Sequence, residues 1–169
     1  MAQLAAIMPL ARTRAVAFLA PLNAAMVEFG ITTPARQASF LSQVGHESGQ
    51  LCYVRELASG QAYEGRADLG NTQRGDGVRF RGRGLLQVTG RANYAACGKA
   101  LGLDLLAQPE LLEQTVNACR SAGWFWQTRG LNALADAGDQ ERVTRRINGG
   151  VNGLAERLVL YREARKVLA

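Results

Sequence analysis

The chain has one histidine, His46, and three cysteines, Cys52, Cys97 and Cys119, too far apart for the CxxC spacing that offers paired thiolates to zinc or a redox centre. That scarcity excludes a transition-metal site of ordinary composition, and no cofactor is expected. The odd cysteine count reads as small core or semi-buried residues of a reducing compartment. No 18-residue apolar run exists to span a membrane. The uncharged stretch from Ala15 to Val27 follows Arg12 and Arg14 as the core of a secretion signal would, but Pro21 and Asn23 interrupt it. Val16, Leu19, Leu22, Asn23, Met26 and Val27 instead recur at spacings of three and four, which predicts a first amphipathic helix and no cleaved signal peptide. Internal repeats and linkers are also lacking, so the 169 residues read as one domain able to bury about two thirds of its unfolded surface.

Lysine is scarce too. Lys99 and Lys166 are the only two among 20 basic residues, leaving 18 arginines spread from Arg12 to Arg165 and a formal charge of +6. Such a balance suits a polyanionic partner (nucleic acid, anionic lipid or an acidic cell envelope), and equally an arginine-rich codon usage with ordinary solvated helix faces. Aromatics make up 7% of residues and hydrophobic ones 47%, with 19 glycines, a soluble globular composition that points to helices packed closely on alanine.

Thr33-Pro34 reads as an N-cap followed by proline at the first helical position, opening a helix through Ala38, Leu41 and Val44 that runs out near Ser48-Gly49. From Glu56 to Gly90 the helical period disappears among eight glycines; short strands are predicted around Val78–Phe80 and Leu85–Thr89. A loop of this length inside a domain is usually functional. Helical signals return from Arg91 to Leu101, ending at Gly102, and from Pro109 onward with Leu112, Val116, Cys119 and Trp126 inward. Asp139 caps a short helix through Val143 to Ile147, and Asn152 is placed to cap a last one that turns Leu154, Leu158, Tyr161 and Val167 inward. The sum is a mainly α domain with an irregular, arginine-rich middle.

His46-Glu47 begins the zinc motif HExxH, but the second histidine position is Gln50, so the metal reading fails. A carboxylate in a helix's last turn meets the negative end of the dipole, and partial burial adds to the penalty on its charge, the conditions that make a general acid. Glu56, nine residues on, could not share a helical face with Glu47, yet Gly49 lets the chain double back. Arg55 and the arginines downstream favour the ionised form of Glu56. Two carboxylates pushed in opposite directions can split a glycosidic bond. Taken alone, the same two residues also fit a solvated helix end and a surface ion pair. In RFRGRGLLQVTGRANY the RGRG is a single tract without the aromatic interleaving that stacks bases; Gln87 and Thr89, two apart, would face one side of a bent strand, to meet a sugar hydroxyl and a water or merely to satisfy an edge.

The ordered series GHES, YVRELASGQAYEGRADLGNTQRGDG, RFRGRGLLQVTGRANY, SAGWFWQTRGLNALAD and VTRRINGG resembles glycoside hydrolase family 19, its phage-type endolysins more closely than its plant chitinases. The resemblance covers nearly the whole chain. It implies a lysozyme-like, two-lobed helical fold with a small β-hairpin beside the cleft, a helical lobe at about 100–140, and one catalytic domain over 1–169 without a separate wall-binding domain. It further implies metal-independent hydrolysis of β-1,4-linked amino sugars with inversion. Glu47 falls on the family's general acid and Glu56, in YVREL, on the second glutamate of endolysin-like members, with Glu64, in AYEGR, as its rival. Thr89 matches the hydroxyl that helps hold the attacking water. His46, Tyr63, Gln87, Asn93, Tyr94 and Asn148 fall on substrate-binding positions, while Trp124 and Trp126 are assigned to packing because residues at i and i+2 on a helix cannot face one sugar. Short loops and the basic charge favour peptidoglycan in an acidic envelope as the substrate, and nucleic acid is not expected as a partner. A monomer without a cleaved leader is expected to stay in the host bacterial cytoplasm until a holin-type membrane protein, implied by the resemblance, gives it access to the periplasm and cell wall. A chitinase, and a non-catalytic basic wall- or nucleic-acid-binding module, are the alternatives.

Overall fold

In a computed structural model describing residues 1–169, α1 (Ala2–Ile7) and α2 (Arg14–Glu28) precede α3 (Pro34–Glu47). Pro21 lies inside α2, where it removes one intrahelical donor without ending the helix. The buried face of α2 is Ala15, Phe18, Leu22, Ala25 and Met26, whereas Val16 and Val27 are 65% and 73% exposed. The helix is thus rotated from the predicted stripe. Its alanines allow close approach to the later helix bearing Gly123, where a Cβ would lie 2.2 Å from the ring of Phe29, so contact with the partner decides the face.

α3 starts as its sequence predicts: Thr33 is extended, its hydroxyl accepts from Arg36 N at 3.3 Å, and Pro34 takes the first helical position. Residues Ala38 to Gly45 are all buried, which makes α3 the central helix. Its polar members are satisfied: Ser39 donates to Gln140 Oε1 at 2.9 Å and Gln43 Nε2 to Thr144 Oγ1 at 3.2 Å.

The segment between α3 and the next long helix forms no strand. Val78 and Arg79 belong instead to a short helix, α4 (Asp76–Arg79), and the only pairings are isolated antiparallel bridges, Arg55 to Arg83 and Arg83 to Val88. The expected β-hairpin is therefore a turn closed by reciprocal bonds, Arg83 N to Val88 O at 3.1 Å and Val88 N to Arg83 O at 2.8 Å, and Gln87 at φ 56° cannot continue a strand. Side chains override the β-propensity of Val78 and Phe80: buried Asp76 accepts from Gln73 N and from both Nε and Nη2 of Arg91. Arginine anchors the rest of the segment. Arg79 donates to the carbonyls of Leu106 and Ala107, and Arg83, 6% exposed, reaches Glu113, Tyr94 and the carbonyl of Arg79.

The remaining helices are α5 (Arg91–Leu101), α6 (Thr115–Thr128), α7 (Leu131–Asp136), α8 (Gln140–Asn148) and α9 (Leu154–Leu168). Gly102 ends α5 in the left-handed conformation and Asp139 caps α8 by accepting from Arg142 N, both as predicted. Pro109 opens a 3₁₀ turn, Pro109–Glu113, before α6; Val116 faces outward while Leu112, Cys119 and Trp126 are buried. Asn152 does not cap α9, since Gly153 holds that position. The buried face of α9 is Arg157, Leu160 and Ala164, with Leu154, Leu158, Tyr161 and Val167 half-buried on its flank. α9 packs along α3, closely enough that a Cβ on Gly45 would sit 3.0 Å from Leu160, and one apolar cluster runs from Leu4 to Ala164.

Candidate active site

Glu47 occupies the last residue of α3, and three successive left-handed residues, Gly49, Gln50 and Leu51, then reverse the chain. Two of these carry side chains, a conformation that disfavours each by about 1 kcal/mol or more, so surrounding contacts must hold the reversal. Gln50 N donates to Gly45 O at 2.6 Å and Leu51 N to Ser48 Oγ at 2.8 Å. The returning segment is tied down where Glu56 N donates to Gly82 O at 3.0 Å. Glu47 and Glu56 thereby line one open cavity of about 360 Å³ with Tyr53, Arg55, Leu57, Tyr63, Gln87 and Thr89. A second cavity, of about 520 Å³, shares Glu47, Gln87 and Thr89 and runs on past Asn93, Trp124, Phe125, Arg129 and Asn148. Together they make one cleft.

The two carboxylates differ in surroundings. Glu47 Oε1 accepts from Arg157 Nη2 at 2.5 Å, and this guanidinium, 2% exposed, also donates to Gln43 Oε1 at 2.6 Å and to the carbonyl of Asn152 at 3.2 Å. The helix-end carboxylate is thus not isolated, since a buried guanidinium is bonded to one of its oxygens. Glu56 Oε2 accepts from the Tyr63 hydroxyl at 2.9 Å, while Oε1 is buried without a partner. Burial and then the adjoining Glu56 carboxylate raise the Tyr63 phenol above its ordinary value, which keeps it a donor. Gln87 Oε1 is a second buried acceptor without a donor; its amide nitrogen is fixed on Gly84 O at 2.9 Å. A Cβ on Gly82 would lie 2.3 Å from Gln87 Oε1 and 3.2 Å from Thr89 Oγ1, so both side chains rest on the bare glycine whose carbonyl holds Glu56.

The sequence profile described as Chitinase class I, of the glycosyl hydrolase 19 family, matches residues 24–137. The chain belongs to glycoside hydrolase family 19. A glycosyl hydrolase family 19 domain-containing protein of Haemophilus influenzae is 34% identical over 83% of this chain and 84% of its own length. An Arabidopsis thaliana endochitinase is 36% identical over 79% of the chain, which spans 46% of that longer protein. Among solved structures, a bacterial family 19 chitinase superposes with a TM-score of 0.79 at 26% identity, covering 99% of this chain and 93% of its own. Chitinase C from Streptomyces griseus gives 0.76 at 26% identity, over 99% and 75%. The helical, lysozyme-like fold is that of these family 19 neighbours.

Within this family 19 fold, not every residue carried over by motif reaches the cleft. Tyr94 is fully buried against Phe80, donates to Arg81 O at 2.6 Å and accepts from Arg83 at 2.9 Å; burial pushes its phenol up to about 12. It braces the loop and cannot touch substrate. His46 borders neither cavity: its Nδ1 pairs with Glu156 Oε2 at 2.8 Å, and its ring fills the space where a Cβ on Gly153 would stand. Glu64, the rival second carboxylate, accepts from Gly75 N at 2.6 Å and Gly77 N at 2.8 Å, so both oxygens hold backbone outside the cleft. Asn93 lines the cleft and donates to Thr89 O at 2.8 Å; Asn148 lines it too, its amide on Asn152 O.

The family 19 cleft also contains residues that motif reading passed over. Trp124 is one of its walls, while Trp126 alone is core, with its indole N–H on Asn132 Oδ1 at 2.8 Å. The assignment of both tryptophans to packing therefore holds for Trp126 and fails for Trp124, because the i and i+2 spacing turns the two rings apart without saying which one faces outward. Tyr53 stands beside Glu56, and Arg157 supports Glu47 from α9. Arg157, Leu160 and Ala164 recur at i, i+3 and i+7, a face on which a lone arginine marks a buried partner.

Proposed function

We propose that this glycoside hydrolase is an endolysin, cutting β-1,4 bonds between amino sugars of bacterial peptidoglycan by inversion, with Glu47 as general acid and Glu56 as general base. The observation that carries the reading is the one cavity lined by Glu47, Glu56, Gln87 and Thr89 together, in which Glu56 and Gln87 each keep a side-chain oxygen without a hydrogen-bond partner in the protein. Turned toward the cavity, these two acceptors and Thr89 Oγ1 would hold a water by its protons. Arg157 engages only Oε1 of Glu47, leaving Oε2 to carry the proton to the glycosidic oxygen. As the bond breaks, Glu56 takes the proton of the attacking water, which requires the carboxyls to stand about 6.5–9.5 Å apart across the sugar. Asn93 steadies the Thr89 backbone, and Trp124 gives the sugar an apolar face.

The charge of +6 supports a substrate in an acidic envelope, and a second protein of the holin type would deliver this monomer from the cytoplasm to the wall. Uncharged chitin is the second reading, favoured by the named chitinases among the relatives. Loss of turbidity of outer-membrane-permeabilised bacteria, run beside release of sugar from glycol chitin, separates the two; activity on chitin alone overturns the endolysin reading. Glu47→Gln retains an acceptor for Arg157, so the fold is expected to survive while lysis is lost. Undiminished lysis by that variant would refute the enzyme mechanism.

A further inference from the structure

The larger cavity of the cleft is lined by two charged residues, Glu47 and Arg129. Glu47 is bonded through Oε1 by Arg157, but Arg129 has no ion-pair partner and its guanidinium donates no hydrogen bond within the protein. Arg12, Arg74 and Arg162 are likewise unpaired but lie outside the cleft, whereas Arg36, Arg83, Arg91, Arg120 and Arg157 are each paired with a carboxylate. The group is held in place nonetheless. Its central carbon lies 4.2 Å from the centroid of the Phe125 ring, a cation–π distance that fixes the flat face and leaves the donor edge free. Surrounding protein atoms lower its affinity for its proton, and no carboxylate counters them, although an arginine stays charged throughout. Its position at the C-terminal end of α6 accounts for a cation there, because the helix dipole favours one, but a side chain turned away into solvent would serve equally. Its direction into the cleft, among Trp124, Thr128 and Asn148, needs a different reason.

We propose that Arg129 is a specificity residue that recognises a carboxylate carried as a substituent on the bound polysaccharide, at the part of the cleft walled by Trp124 and Asn148. The proposal rests on the reading of the cleft as a sugar-binding site and deepens it. A planar guanidinium with its edge free fits a carboxylate by two parallel N–H···O bonds, a recognition that a polymer of N-acetylglucosamine alone cannot satisfy. Peptidoglycan offers such groups from two sources, the lactyl carboxylate of muramic acid where it is free and the carboxylates of the attached peptide.

The test is a titration of the full chain followed by tryptophan fluorescence, since Trp124 lines the cleft while Trp126 is buried. The probes are diacetylchitobiose, the glucosaminyl–muramic acid disaccharide with its lactyl carboxylate free, and that disaccharide bearing a tetrapeptide. At least one charged probe is expected to bind about tenfold more tightly than chitobiose, the size of one accessible charge-assisted contact. Arg129→Gln should bring that ratio towards one, Arg129→Lys should restore part of it, and added salt should weaken only the charged probes. Preference already present in the free disaccharide assigns the lactyl group; preference confined to the tetrapeptide form assigns the peptide. An equal ratio in the parent and in Arg129→Gln, at matched melting temperature, overturns the proposal, as does failure of every charged probe to outbind chitobiose. Failure of the glycosidase reading shows separately, as absence of hydrolysis of both walls and glycol chitin by the parent chain.

Discussion

Replacing Arg157 by methionine removes the cation while keeping most of the apolar stem that packs between α9 and α3. Three bonds are lost, to Glu47, Gln43 and the exposed Asn152 carbonyl. Water replaces the last at little cost. Gln43 is 0% exposed, so its Oε1 is left without a donor at about 1–3 kcal/mol. The charge-assisted bond to Glu47 contributes about 1.5–3 kcal/mol at full strength, less here because that side chain is 21% exposed. Relief from burying a guanidinium offsets part of the sum, leaving a net loss of about 2–4 kcal/mol. For a domain of this size each kilocalorie moves the melting temperature by about 2–4 °C, so a drop on the order of 10 °C in a circular dichroism melt at neutral pH is expected. The double variant with Glu47→Gln should recover about 1–2 kcal/mol of the summed single losses, because an uncharged amide no longer needs the cation. A melting point within 2 °C of the parent, or strict additivity of the two substitutions, would show that Arg157 does not hold Glu47.

Gly82→Ala drives a methyl into the ends of Gln87 and Thr89; because flexible side-chain tips move, melting should shift little while turnover falls about tenfold to a hundredfold, and unchanged turnover would dismiss the Gly82 platform. The Arg91 guanidinium holds the Asp76 carboxyl below its usual value, so this group stabilises the fold above its unfolded titration near pH 4 and the contribution is lost as pH falls through the lower folded value. Urea midpoints measured from neutral pH down to 3 should therefore show a steeper acid decline in the parent than in Asp76→Asn; parallel curves would contradict the assignment. Burial pushes the Cys97 and Cys119 thiols up to about 12 while Cys52 is exposed, so one thiol per folded chain should react with a mild disulfide reagent at neutral pH and all three in denaturant. Rapid reaction of a second thiol in the native state would mean that the core opens.

What the sequence reveals here is what neighbours within one turn decide. Thr33-Pro34, Asp139 and Gly102 mark helix ends because the groups they satisfy are three or four residues away. The rotation of α2 is not legible, since close packing against Gly123 of α6, and not the spacing of its own valines, selects the buried face. Val78 and Phe80 read as strand by propensity, but the segment is the short helix α4 and its C-cap, anchored by the pairing of Asp76 with Arg91, 15 residues away. In the candidate site, Glu47, Glu56, Gln87 and Thr89 are found from motif order, and the structure brings them to one cavity. Tyr94 and Glu64 occur in the same motifs yet serve the backbone, a distinction that only burial and hydrogen-bond partners reveal. Trp124 and Arg129 project from the end of α6 into the cleft, and nothing local separates them from packing or surface residues.

The pairing of Glu47 with Arg157 also has a consequence in time. The two residues are 110 positions apart, so on a ribosome adding about 5–20 residues per second the carboxylate emerges roughly 5–20 seconds before its cation. Until α9 is made, α3 lacks the helix that covers it, and Gln43 and Glu47 lack the donors that orient them. A nascent chain can therefore form the capped helix but not the finished cleft, and a bond-cutting site comes into being only once the last helix has docked.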